Sequence, residues 1–83
     1  MGDFVVYVLF SKTFNKTYVG FTSNLIERFK SHNQLSSKGY TVKFRPWIVL
    51  YVKPFESKKE AMEYEKYLKT GVGRDFILKI IKP

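Results

Sequence analysis

Phe4-Val5-Val6-Tyr7-Val8-Leu9-Phe10 is built from β-branched and aromatic residues around a single leucine. Such a run reads as a strand that is apolar on both faces, and so is central in its sheet or covered on either side. Ser11–Lys16 is a short polar stretch holding Asn15, a turn-forming residue. Thr17-Tyr18-Val19-Gly20-Phe21 then reads as a second strand, paired with the first in a hairpin. Gly20, near the end of that strand, marks a bulge or a close backbone approach.

Beyond the hairpin the period changes from two to that of a helix. Thr22-Ser23-Asn24 supplies capping side chains, and Glu27 follows Asn24 by three residues as a capping-box partner. Leu25, Ile26 and Phe29 share one arc, the expected core face. Arg28 and His32, four apart, lie together on its flank. Gln34–Lys43 is polar and contains Gly39, which predicts a loop. Pro46 opens a third strand, Trp47–Val52, and Pro54 ends it. Ser57-Lys58-Lys59-Glu60 is a second capping box, with a helix running to Lys69 and Gly71 and Gly73 as its stop. Asp75–Ile81 fits a short last helix, with a strand as the alternative. The order ββαβα, with hairpin strands, predicts an α+β fold: a small antiparallel sheet flanked by helices.

At 83 residues the chain makes one domain, 1–83, with no room for a second. A core this small must be dense, and 45% hydrophobic with 18% aromatic content meets that need and excludes a disordered chain. No cysteine is present, which excludes a disulfide framework, a thiol nucleophile and cysteine-ligated zinc, and makes a reducing, cytoplasmic setting the natural expectation. The apolar runs fall far short of the roughly 20 residues of a membrane helix, and Asp3 stands where a signal peptide would be positive.

Fifteen Lys and Arg against seven Asp and Glu give a net charge of +8, which points to a polyanionic partner. Between Arg28 and Phe55 no acidic residue occurs. Lys30, Lys38, Lys43 and Arg45 from that stretch, with Lys69, are the candidate nucleic-acid contacts. Twelve of the fifteen bases are lysine, which suits phosphate attraction better than the reading of base edges.

Glu65 is the residue that a purely structural account leaves over. Ala61, Tyr64 and Leu68 define the core arc of its helix, with Met62 on the far side, and Glu65 projects inside that arc. A carboxylate among apolar groups must be paired or bind a metal. A salt bridge to Lys69, a side chain snorkelling at the margin and a metal site all satisfy the pattern. A single histidine builds neither a zinc site nor a Ser-His-Asp triad, and the chain lacks both GxxxxGK[ST] and GxGxxG. One carboxylate, an arginine, a histidine and the two phenols Tyr7 and Tyr18 on a basic domain are the ingredients of metal-assisted phosphodiester hydrolysis.

The spacing resembles that of the GIY-YIG nuclease family. Val5-Val6-Tyr7, Tyr18-Val19-Gly20, Arg28 ten residues after Tyr18, and His32 stand in the family's order. Ala61-Met62-Glu63-Tyr64-Glu65 with Lys69 resembles its A-x-x-x-E-x-x-x-K helix, and Tyr40-Thr41 with Arg45-Pro46-Trp47 is similar to its small bacterial members. The resemblance implies a three-stranded antiparallel sheet with helices and an endonuclease leaving a 5′-phosphate and a 3′-hydroxyl. It implies roles for five residues. Tyr7 would act as or assist the general base, Tyr18 would order water and phosphate, and Arg28 would stabilise the pentavalent phosphate. His32 would assist proton transfer or contact the phosphate, and Glu65 would hold one Mg²⁺ or Mn²⁺. Phe21 departs from the lysine of the family's DNA-repair excinuclease branch, and Val5, Val6 and Val19 replace motif residues with strand-compatible ones.

Three functions follow as expectations. The first is a metal-dependent DNA endonuclease directed by structure rather than sequence, with RNA as an open alternative substrate. The second is a nucleic-acid-binding module acting with a larger nuclease or repair complex. The third is an oligomerising domain using Phe76–Ile81. A monomer or a weak homo-oligomer with no membrane partner fits the first two.

Overall fold

A computed structural model describes residues 3–30 and 43–82. Strands β1 (Phe4–Ser11) and β2 (Lys16–Thr22) form the hairpin, followed by helix α1 (Leu25–Lys30), strand β3 (Ile48–Phe55) and helices α2 (Lys58–Leu68) and α3 (Gly71–Ile81). The sheet has the order β2-β1-β3, antiparallel throughout, so the most apolar strand is central, as its composition requires. Asn15, at φ 54, takes the left-handed conformation that lets the hairpin turn between β1 and β2.

Alternation along β1 builds two cores. Val6 and Val8 face α2 and α3 and pack with Ala61, Leu68 and Ile77. Tyr7 and Leu9 face the other way and pack with Trp47, joined by Leu25 and Phe29 from α1 and by Tyr18 and Phe44. Leu25 and Phe29 therefore lie on the core face as expected, whereas Ile26 is turned out to solvent. Leu25 and Phe29, four residues apart, stand on one side of the helix, and Ile26, about 100° further round from Leu25, lies beyond that stripe. On α2, Ala61 and Leu68 are buried and Tyr64 half-buried, while Met62 is exposed.

Both N-caps form. The Glu27 N–H donates to Asn24 Oδ1 at 3.2 Å, and the Glu60 N–H donates to Ser57 Oγ at 3.2 Å while the Ser57 hydroxyl donates to Glu60 Oε1 at 3.0 Å.

Three boundaries differ from the sequence expectation. Trp47 precedes β3 and is buried as a core plug, and β3 continues through Pro54 to Phe55. Because β3 is an edge strand, a proline there can turn its missing N–H outward without losing a ladder bond. The two glycines do not lie between helices: α2 ends at Leu68, Thr70 caps α3 by accepting from the Gly73 N–H, and both Gly71 and Gly73 lie in the first turn of α3. A Cβ on Gly73 would collide with the backbone of Tyr67 and Leu68, so glycine is there for close helix approach rather than for termination. The last segment is thus a helix beginning four residues earlier than Asp75.

Candidate active site

β2 is an edge strand of the sheet among the described residues, and four of the predicted residues gather beside it. A hollow of about 590 Å³ is lined by Tyr7, Tyr18 and Gly20 from the hairpin, Arg28 from α1, and Lys58 and Glu65 from α2, with Phe4, Phe21, Thr22 and Ser23 completing its wall.

Each side chain is placed by a local device. Tyr7 is directly opposite Gly20 in the hairpin register, and Tyr18 is opposite Leu9, so the two phenols lie diagonally on one face with ring centroids 6.3 Å apart. Gly20 provides the room: a Cβ there would stand 2.6 Å from the Tyr7 hydroxyl and 3.2 Å from Tyr18 Cε1. The close approach foreseen at this glycine is an approach of side chains across the strand pair. Thr22 then fixes the turn into α1, its hydroxyl accepting from the Asn24 N–H at 3.0 Å, and the Arg28 N–H donates to Asn24 O at 3.1 Å. That first turn carries Arg28 to the hollow. Ser57, as N-cap of α2, sets Lys58 at the first helical position, and Glu65 follows two turns later.

Burial, followed by the neighbouring Tyr18 phenol and by Glu65, pushes the Tyr7 hydroxyl well above its ordinary value, and Arg28 acts in the opposite direction. Tyr7 is therefore a neutral phenol throughout the physiological range. Glu65 Oε1 lies 3.7 Å from Lys69 Nζ, and its side chain retains 19% exposure. Of the readings left open by the sequence the salt bridge to Lys69 is present, and the carboxylate also faces the hollow. Among the described residues no group of three or more His, Cys, Asp or Glu comes together, and Glu65 is the carboxylate among them that lines the hollow.

Tyr7, Tyr18, Arg28 and Glu65 are brought together as expected from their spacing. His32 and Lys38 lie outside the described residues, and Lys30 is the last described residue of α1. Lys43 is exposed and Arg45 half-buried ahead of β3, neither of them lining the hollow, whereas Lys69 adjoins it through Glu65. Lys58 was legible as a capping-box residue but not as part of the site; the signal was its fixed place at the start of the helix that carries Glu65. Among the described residues no helix is long and apolar enough to cross a membrane.

The model of the GIY-YIG catalytic domain matches residues 3–75. The UPF0213 protein SH2523 of Staphylococcus haemolyticus is 37% identical over 82 residues, covering 99% of this chain and 98% of that one. A UPF0213 protein of Limosilactobacillus reuteri is 40% identical over 73 residues, covering 86% and 75%. The solution NMR structure of the UPF0213 protein BH0048 from Bacillus halodurans superposes with a TM-score of 0.55 at 26% identity, over 93% of this chain and 83% of that one. That fold is the same three-stranded α+β arrangement. With its motif residues converging at the edge of β2, the chain belongs to the GIY-YIG family.

Proposed function

We propose that this protein is a divalent-metal-dependent endonuclease that hydrolyses phosphodiester bonds in DNA, selecting its target by structure rather than by sequence. The observation that supports this most is the convergence of Tyr7, Tyr18, Arg28 and Glu65, from three separate parts of the chain, on one open hollow. The net charge of +8 supplies a sequence-independent attraction to the backbone.

In hydrolysis, a water oxygen bonds to phosphorus as the bond from phosphorus to the 3′ oxygen breaks. One proton leaves the water and one reaches the 3′ oxygen, giving a 5′-phosphate and a 3′-hydroxyl. Arg28 would take the non-bridging oxygens, whose charge grows in the transition state, and Lys58 would add a second cation on the α2 side of the hollow. As a neutral phenol, Tyr7 would orient the attacking water by hydrogen bonding, and Tyr18 beside it would order water and phosphate. His32 would assist proton transfer or hold the phosphate.

Glu65 fits a hard divalent cation. It offers an oxygen donor at the hollow and already attracts the Lys69 ammonium, and a magnesium-type ion needs few protein ligands because it keeps most of its waters. Bound there, one Mg²⁺ or Mn²⁺ would act as a Lewis acid on the phosphate and the leaving oxygen.

Cleavage of labelled single-stranded, duplex and branched DNA with Mn²⁺ or Mg²⁺ tests the reading. Glu65→Ala and Arg28→Ala should each abolish cutting while the fold survives; wild-type protein that cuts no DNA form would overturn it. A second reading, a binding module working with a larger nuclease or repair complex, draws on the Lys69 pairing of Glu65, the carboxylate that lines the hollow among the described residues. It requires DNA binding that persists in EDTA and is unchanged by Glu65→Ala.

A further inference from the structure

Lys69 serves two places at once. Its ammonium lies 3.7 Å from Oε1 of Glu65, the carboxylate of the hollow that holds Tyr7, Arg28 and Lys58. It also lines the neighbouring depression, of about 240 Å³, together with Thr17, Tyr18 and Val19 of β2 and with Arg74 of α3. Tyr18 is common to both. The main chain of Lys69 is fixed, because its N–H donates to Lys66 O at 3.1 Å where α2 ends, and Thr70 caps α3 directly after it. Only the side chain can change places, and its flexible four-carbon stem gives it the reach.

Its hold on Glu65 is weak. At 3.7 Å the pair is longer than a hydrogen bond, and Lys69 is 56% exposed, so water competes for its ammonium throughout. The carboxylate has more at stake: at 19% exposure it has lost most of its water and needs a cation. On the other side stands Arg74, in a first turn of α3 that carries no acidic residue to offset the positive helix end. Asp75, next in sequence, opens to the depression beyond, with Gly71 and Leu78. An ammonium moved towards Arg74 is repelled until an anion lies between the two. Two events therefore draw Lys69 off Glu65: a divalent cation on the carboxylate, and a phosphate beside Arg74.

We propose that Lys69 is a positioning residue that occupies the Glu65 carboxylate in place of a divalent cation and, once displaced, turns towards Arg74 to bind a backbone phosphate of the nucleic acid. The exchange rests on the nuclease reading for the cation at Glu65 and for the phosphodiester ligand, and it adds a coupling between them. Both ligands displace the same ammonium in the same direction, so each binds more tightly when the other is present. A phosphate on two cations is the same group in a paired and an unpaired strand, so the coupling is indifferent to strand type.

Mn²⁺ affinity without nucleic acid, followed by electron paramagnetic resonance, reads the first half. Lys69→Gln should bind Mn²⁺ roughly twofold to fivefold more tightly than wild type, the range an exposed ion pair allows. Lys66→Gln removes an equal charge from the α2 face shared with Met62 and Glu63, next to Glu65 in sequence but not facing it, and should bind as wild type does. Binding of a short labelled DNA duplex in EDTA at low salt, by fluorescence anisotropy, reads the second half as a double-mutant cycle. Lys69→Gln should weaken binding, and Glu65→Gln should strengthen it by releasing Lys69. In the Lys69→Gln background that gain should shrink at least about twofold, whereas a carboxylate that merely repels phosphate gives the same gain in both. Lys69→Arg, which keeps the charge, should stay near wild type in both measurements. Wild-type or weaker Mn²⁺ affinity in Lys69→Gln, equal tightening in Lys66→Gln, an additive cycle or no DNA binding overturns the exchange, whether or not the protein cuts. Both effects in a protein that cuts no DNA form under any metal keep the exchange and remove the nuclease.

Discussion

Gly20 faces Tyr7 across the hairpin so closely that a Cβ at residue 20 would lie 2.6 Å from the Tyr7 hydroxyl and 2.8 Å from Cζ of its ring. The phenol occupies the space that any other residue's side chain would need. Gly20→Ala therefore has to displace a buried ring that packs with Leu9 and Trp47. We expect it to cost about 1–3 kcal/mol, as overpacking does, and to reduce cleavage more than Tyr7→Phe, because it moves both phenols rather than deleting one hydroxyl. Denaturant unfolding beside a cleavage assay checks this; a Gly20→Ala enzyme cutting at the wild-type rate would refute the placement.

Glu65 separates chemistry from stability. Its ion pair with Lys69 is long, at 3.7 Å, and Lys69 is 56% exposed, so Glu65→Gln should change unfolding free energy by less than about 1 kcal/mol. Cleavage should nevertheless fall at least roughly a hundredfold, and binding of Mn²⁺ followed by electron paramagnetic resonance should weaken in parallel. A large loss of stability with metal binding intact would make Glu65 a structural residue.

Tyr7 titrates above its ordinary range because burial and the adjacent Tyr18 phenol oppose its ionisation more than Arg28 favours it. The rate profile between about pH 6 and 9 should consequently show no inflection belonging to Tyr7. Tyr7→Phe should lower the rate while leaving the shape of the profile unchanged. An inflection that disappears in Tyr7→Phe would identify Tyr7 as an ionising base.

A second tyrosine reports on the fold itself. Tyr64 is pushed up to about 12 by burial and by its hydroxyl contact with Tyr51, the two oxygens being 3.1 Å apart. Its folded value is raised above the unfolded value of 10, so its contribution to stability is complete below pH 10 and is lost as pH rises towards 12. Thermal melts across that window should show a decline that is smaller in Tyr64→Phe.

Much of this was readable from residue types alone, and the exceptions have physical causes. β1, the hairpin turn at Asn15 and the N-caps at Asn24 and Ser57 are local matters of propensity and hydrogen bonding, and they form as read. Glu65 betrayed itself by breaking an apolar arc. The run through Pro54 was not legible because a proline's effect depends on whether its strand is an edge, which is a property of the sheet. Gly73 resembled a terminator because no local pattern reveals the neighbour that requires a missing Cβ. Lys58 is one of fifteen lysine and arginine residues, and only the meeting of α2 with the hairpin and α1 singles it out.

The corner between α2 and α3 has one further effect. Backbone meets backbone at Gly73 with no space for even a methyl group, and the Thr70 hydroxyl ties the two sides by donating to Tyr67 O at 2.6 Å. α2 and α3 sit on opposite sides of this joint, so their relative placement is inherited from the main chain. The joint acts as a hinge pin that cannot be widened: surface substitutions along α3 can change what its outer face offers, but not where the helix starts relative to α2.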